Sequence, residues 1–185
     1  MSVIHTWGST AAERAEPFPC DRQLAPPFTA LFRAVDVDAP IDLTFRWLCQ
    51  LRVAPYSYDY LDNFGRRSPR VRDPNNEQLL VGQRMMRIFH LSEFERNAHL
   101  TMVMDGTKIF GDVAVTYAVR PAPRGSRIVV KLIYHAPPRS VMRWILPAGD
   151  LIMMRKQLLT LKALAEREHA AGQIQAPVQA RFRAS

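Results

Sequence analysis

Four side chains in the middle of this sequence could do acid–base work if a fold gathered them: Arg87, His90, Tyr117 and Tyr134. An imidazole titrates near neutral pH and can pass a proton either way. An arginine can hold a carboxylate through two parallel N–H donors. A phenol carries an apolar ring and one polar tip, so a buried one needs a partner. No catalytic signature surrounds them. The sequence has no GxGxxG, P-loop, GxSxG or HExxH pattern and no paired catalytic carboxylates. His90 and His99 could face each other across a hairpin, but no third ligand has metal-site spacing. Cys20 and Cys49 form no CxxC pair and read as two reduced thiols, with a single disulfide as the alternative. No metal and no cofactor is expected.

The elements that must position these groups follow from period. Thr29 to Val37 reads as a strand. Pro40 suits the start of a helix, Asp42 suits its first turn, and Ile41, Thr44, Leu48 and Leu51 share one helical face up to the stop at Pro55. An aromatic-rich short helix or turn follows, with Tyr56, Tyr58, Tyr60 and Phe64. From Gln78 the period becomes two. Met85–Phe94, Ala98–Met104, Asp112–Arg120 and Arg127–His135 read as strands of an antiparallel meander, with turns at Arg96-Asn97, Asp105-Gly106 and Pro121–Gly125. Further edge strands are expected near Gln78–Val81 and Lys108–Phe110. Alternation gives the sheet one apolar face and one wetter face. His99 and His135 fall on the outward side. Strand 85–94 is mixed on both faces, so the inward member of the Arg87 and His90 parities is left open.

The C-terminal part is helical. Residues 139–146 form a first piece, broken at Pro147 and Gly149. Asp150 reads as the N-cap of a long helix with Leu151, Met154, Leu158, Leu161 and Ala165 on one face, and Gly172 as its stop. Residues 1–28 read as an irregular N-terminal arm, 29–171 as one domain and 172–185 as a flexible tail. The chain has 185 residues and a formal charge of +8, and 21 of its 25 basic residues are arginine, spread along the whole length. That spread speaks against nucleic-acid binding and leaves room for transient contact with an anionic membrane surface. The first residues have no signal-peptide pattern, and no stretch reaches the roughly 20 apolar residues of a membrane span, so a cytoplasmic location is expected. The oligomeric state is left open.

A meander with one apolar face needs a cover, and the last helix is the one element long enough. A twisted sheet around a straight helix leaves a hollow. This order resembles the helix-grip fold of the START-like, or SRPBCC, superfamily: an α+β fold with a curved antiparallel sheet around a long C-terminal helix and two short helices after the first strand. The resemblance covers about residues 29 to 171. It rests on Asp38-Ala39-Pro40 after the first strand, on Leu80-Val81-Gly82-Gln83 leading to the meander, and on the closing helix. The stretch Leu51-Arg52-Val53-Ala54-Pro55-Tyr56-Ser57-Tyr58-Asp59-Tyr60 is similar to a subgroup described as polyketide cyclase/dehydrase and lipid-transport-like. The resemblance implies binding or transport of a hydrophobic small molecule (a lipid, fatty acyl or polyketide-like compound), or else a cyclase/dehydratase using Tyr, His and Arg groups in the same cavity. By parity and by the resemblance, the expected ligand-binding residues are Tyr60, Phe64, Arg87, Phe89, His90, Met102, Met104, Val115, Tyr117, Tyr134, Met154 and Leu158.

Overall fold

The computed structural model describes residues 2–58, 67–107, 111–135 and 142–182. Two short helices, α1 (Val3–Thr6) and α2 (Ala11–Ala15), precede strand β1 (Thr29–Val37). Helix α3 (Ile41–Cys49) follows and tightens into a 3-10 turn, Gln50–Arg52. Then come β2 (Arg84–Met85), β3 (Phe89–Glu95), β4 (His99–Thr107), β5 (Gly111–Ala122), β6 (Gly125–Tyr134) and α4 (Met142–Phe182). The strands form one sheet in the order β1-β6-β5-β4-β3-β2, every pair antiparallel. This is the helix-grip architecture.

Register explains the core. Leu31 lies opposite Leu132, Leu132 opposite Val115, and Val115 opposite Met102. One turn of the pleat away, Arg33, Val130, Tyr117 and Leu100 form a parallel row. These residues share the concave face because side chains two apart point the same way. Met154, Leu158, Leu161, Leu164 and Ala165 recur at three- and four-residue spacing along α4 and are buried against that face. Burying one such leucine contributes roughly 1.5–3 kcal/mol. Polar ties fix the helix along its length: Trp47 Nε1 donates to Glu168 Oε2 at 2.9 Å, Arg72 pairs with Glu168 at 2.8 Å, and Lys162 Nζ donates to the Asp36 carbonyl at 2.7 Å.

Several expectations need correction. The wetter face of the sheet is covered. Phe32, Ala34, Ala114, Ala118, Val129 and Ile133 on that side are buried with Phe18 and Cys20 of the N-terminal segment. Thr10 and Glu13 close a capping box on α2, the Cys20 amide donates to Thr116 Oγ1 at 2.9 Å, and Lys131 pairs with Asp21 at 2.6 Å. The segment lies so close to β1 that a Cβ on Gly8 would collide with the Ala34 carbonyl oxygen. Its lack of period follows from this role, since single turns laid on a sheet need no repeating stripe.

The strand expected over 85–94 is two strands. Met86 and Arg87 both have positive φ (44° and 69°) and turn the chain, so that Met85 pairs with Phe89. The mixed faces of that segment are those of a hairpin. The edge strand expected near Gln78–Val81 is instead β2, a few residues later, after a turn at Gly82 with φ 87°. β4 runs through Asp105-Gly106 with a register shift between Met104 and Thr107, so the turn does not fall there. Lys108–Phe110 lie outside the described residues.

Helix α4 starts at Met142 and continues past Pro147, Gly149 and Gly172. Pro147 lies in the second turn, where it removes one N–H donor. Gly172 keeps a helical φ, and a glycine ends a helix through the left-handed conformation rather than by its presence. Asp150 is therefore inside the helix, not its cap. No described helix is long and apolar enough to cross a membrane.

Candidate functional site

Two adjoining hollows lie between the concave face, α4 and the Met86–Ile88 turn. One, of about 240 Å³, is lined by residues that include Leu31, Met104, Val113, Leu132, Tyr134 and Leu146. The other, of about 360 Å³, includes Pro55, Ser57, Arg87, Val115, Tyr117 and Gln157. Ile88, Phe89, Leu132, Asp150 and Met153 line both, so the two form one apolar groove with a carboxyl at the junction. The larger hollow is within the ~300–1,000 Å³ range of small-molecule pockets.

The positions of these residues follow from the register and the turn. Leu31, Leu132, Val113, Val115 and Tyr134 are inward members of β1, β6 and β5. The left-handed turn at Met86–Arg87 carries Ile88 and Arg87, both exposed, to the rim. Asp150 and Met153 face the groove from α4, and Met154 and Gln157 continue that face one turn on.

Asp150 is the chemically distinctive group. Its Oδ2 accepts a hydrogen bond from Arg33 Nη2 at 2.7 Å. Arg33 is 1% exposed and extends from β1 into the core. It also donates to the Phe32 carbonyl at 2.8 Å, and its Nε has no partner among the described residues. Burial pushes the Asp150 carboxyl up to about 6, more strongly than the Arg33 charge and hydrogen bond pull it down. Burial likewise lowers the Arg33 guanidinium, against the pull of Asp150. The pair is held in place more than it is attracted into place.

Beside it, Tyr117 donates to Gln157 Oε1 at 2.7 Å, and Gln157 Nε2 donates to the Pro55 carbonyl at 2.6 Å. This chain ties β5, α4 and the loop after α3 together at the floor of the groove. Burial first, then the Asp150 charge, raise the Tyr117 phenol far above its ordinary value, so it stays protonated. Burial pushes Cys20 up to about 11 and Cys49 up to about 12, and both thiols are free, buried and unsuited to nucleophilic work. Among the described residues no group of three His, Cys, Asp or Glu could hold a metal ion.

Of the residues expected from sequence, Arg87, Phe89, Met104, Val115, Tyr117, Tyr134 and Met154 line the groove. Met102 and Leu158 are completely buried in the closed core beside it. His90 lies opposite Arg84 and Val103, on the face away from Phe89 and Leu91. Tyr60 and Phe64 lie outside the described residues. Sequence reasoning missed Asp150, Arg33, Gln157 and Ile88. One signal was present for Arg33: it shares the parity of Leu31, Val35 and Val37, an arginine set in an apolar stripe.

The combination of a curved six-stranded antiparallel sheet, a long closing helix and a groove between them defines the helix-grip fold. The di-domain ARO/CYC StfQ from the steffimycin biosynthetic pathway superposes with a TM-score of 0.50 at 13% identity, over 76% of this chain and 51% of that one. A protein from Mesorhizobium loti matches with a TM-score of 0.48 at 15% identity, over 75% of this chain and 97% of that one. Ara h 8.0201 matches with a TM-score of 0.44 at 13% identity, over 73% of this chain and 99% of that one. No protein-family model matches the sequence, and no curated protein matches it.

Proposed function

We propose that this chain binds a hydrophobic small molecule, of lipid, fatty acyl or polyketide type, in the groove between the sheet and α4. The observation that carries this reading is the lining: Leu31, Phe89, Met104, Val113, Leu132 and Leu146 form an apolar wall broken by few polar groups. Methionines at Met104, Met153 and Met154 let such a wall adapt to ligands of different shape. Ile88 and Arg87, both exposed on the turn at the rim, would suit brief contact of the mouth with an anionic lipid surface.

The test is titration with N-phenyl-1-naphthylamine, an uncharged dye that fluoresces in apolar sites. Saturable binding is expected, and Leu132→Trp, which fills the shared wall, should weaken it at least about tenfold while circular dichroism stays unchanged. Absence of saturable binding to the native chain would end this reading.

One observation favours a second reading, catalysis of a cyclase or dehydratase kind. A carboxyl held near neutrality inside an apolar groove can give or take a proton. In that reading the work falls to Asp150, with Tyr117 holding Gln157 in place beside it, and not to His90.

A further inference from the structure

Resting on the binding reading above, we propose that the groove selects a neutral amphiphile whose polar end is a hydroxyl, a long-chain alcohol or a phenol, which donates its hydrogen bond to Asp150, and that it disfavours a carboxylate end there. The polar partners available at the junction decide the preference. Asp150 is the acidic group common to both hollows. One of its oxygens, Oδ2, is held by Arg33, while Oδ1 takes no part in that ion pair. Arg33 is 1% exposed and lines neither hollow, so its guanidinium, Nε included, is out of reach of an incoming anion. The neighbouring amide, Gln157, is spent on Tyr117 and Pro55. A ligand that reaches the junction thus meets an acceptor bearing negative charge. A hydroxyl donor gains a charge-assisted hydrogen bond there, and a carboxylate would be desolvated beside a like charge.

The rim offers a carboxylate a different place. Arg87 is exposed at the mouth, where solvent screens its attraction. A fatty acid could lie with its tail inward and its head at Arg87. Such a pose gives up the bond to Asp150, which is why the two head groups should be separated by affinity.

The experiment is competition against bound N-phenyl-1-naphthylamine by dodecan-1-ol and by dodecanoate, above neutral pH and below their micellar concentrations. The alcohol should compete at least about tenfold better, the worth of one hydrogen bond to a charged group. Asp150→Asn, which replaces the charge by an amide able to donate, should bring the two competitors to within about threefold. If that variant is poorly folded, the paired substitution Arg33→Met with Asp150→Leu removes both charges, should keep dye binding and should likewise lose the preference. Equal or better competition by dodecanoate in the native protein would overturn the inference while leaving the groove a binding site. If that competition also disappeared in Arg87→Ala, the polar end belongs at the mouth. Failure of the dye itself to bind would remove the binding reading and this inference together.

Discussion

The ion pair between Arg33 and Asp150 invites a double-substitution cycle. Asp150→Leu strands a guanidinium that is 1% exposed, with no other acid beside it in the described contacts. Leaving one buried charge unpartnered costs about 3–5 kcal/mol. For a domain of this size that lowers the melting temperature by roughly 6–20 °C. Adding Arg33→Met removes the stranded charge and replaces it with an unbranched side chain of similar reach. Desolvation opposes the charged form of both partners, so the paired variant should regain all of the loss and stand within about 1 kcal/mol of the native protein, or above it. The measurement is urea unfolding followed by circular dichroism on the native chain, both single variants and the double. If the single variants cost less than about 1 kcal/mol, or if the double is as unstable as the two singles added together, then the pair is solvated or independent, and the account of the groove floor is wrong.

Three further outcomes follow from the same structure. Asp150 is harder to ionise in the folded chain than its ordinary value of 3.8, so the folded state holds the extra proton; its contribution to stability is greatest at low pH and is lost as pH rises from about 4 through about 6. Among the described residues, Arg33 from β1, Tyr117 from β5 and the rim residue Arg87 are the ionisable groups around it, so the trend should be read as native minus Asp150→Asn, which cancels opposing carboxylates such as Glu13, held low by Arg127 and Thr10. Tyr117→Phe should cost about 1–3 kcal/mol in urea unfolding, because Gln157 Oε1 loses its buried donor. Phe18→Ala should cost about 3–5 kcal/mol and raise amide hydrogen exchange in β1, β5 and β6, the strands that Phe18 and Cys20 cover; an unchanged exchange rate would show that the N-terminal segment is dispensable.

The order of elements was legible in the sequence because their periods are local properties. The alternation of Val113, Val115, Tyr117 and Val119 and the spacing of Met154, Leu158 and Leu161 each specify a face without knowing what will cover it. From those faces much of the apolar lining follows, and the resemblance in element order and motifs added the helix-grip fold. The rest depended on tertiary partners. Met86 and Arg87 break a run of strand-like residues because the chain must turn there, and nothing in their side chains announces a left-handed backbone. The N-terminal segment has no stripe to read, since it supplies isolated anchors such as Phe18 and Cys20 to a sheet whose outer face becomes core only by its arrival. Asp150 looks like a helix cap until the helix is seen to begin at Met142, and Arg33 looks like a surface strand residue until the two are brought together across 117 positions of chain. Local physics decides which side of each element is apolar. Long-range packing alone decides which charged groups are trapped between those sides, and in this protein the trapped pair is Arg33 and Asp150.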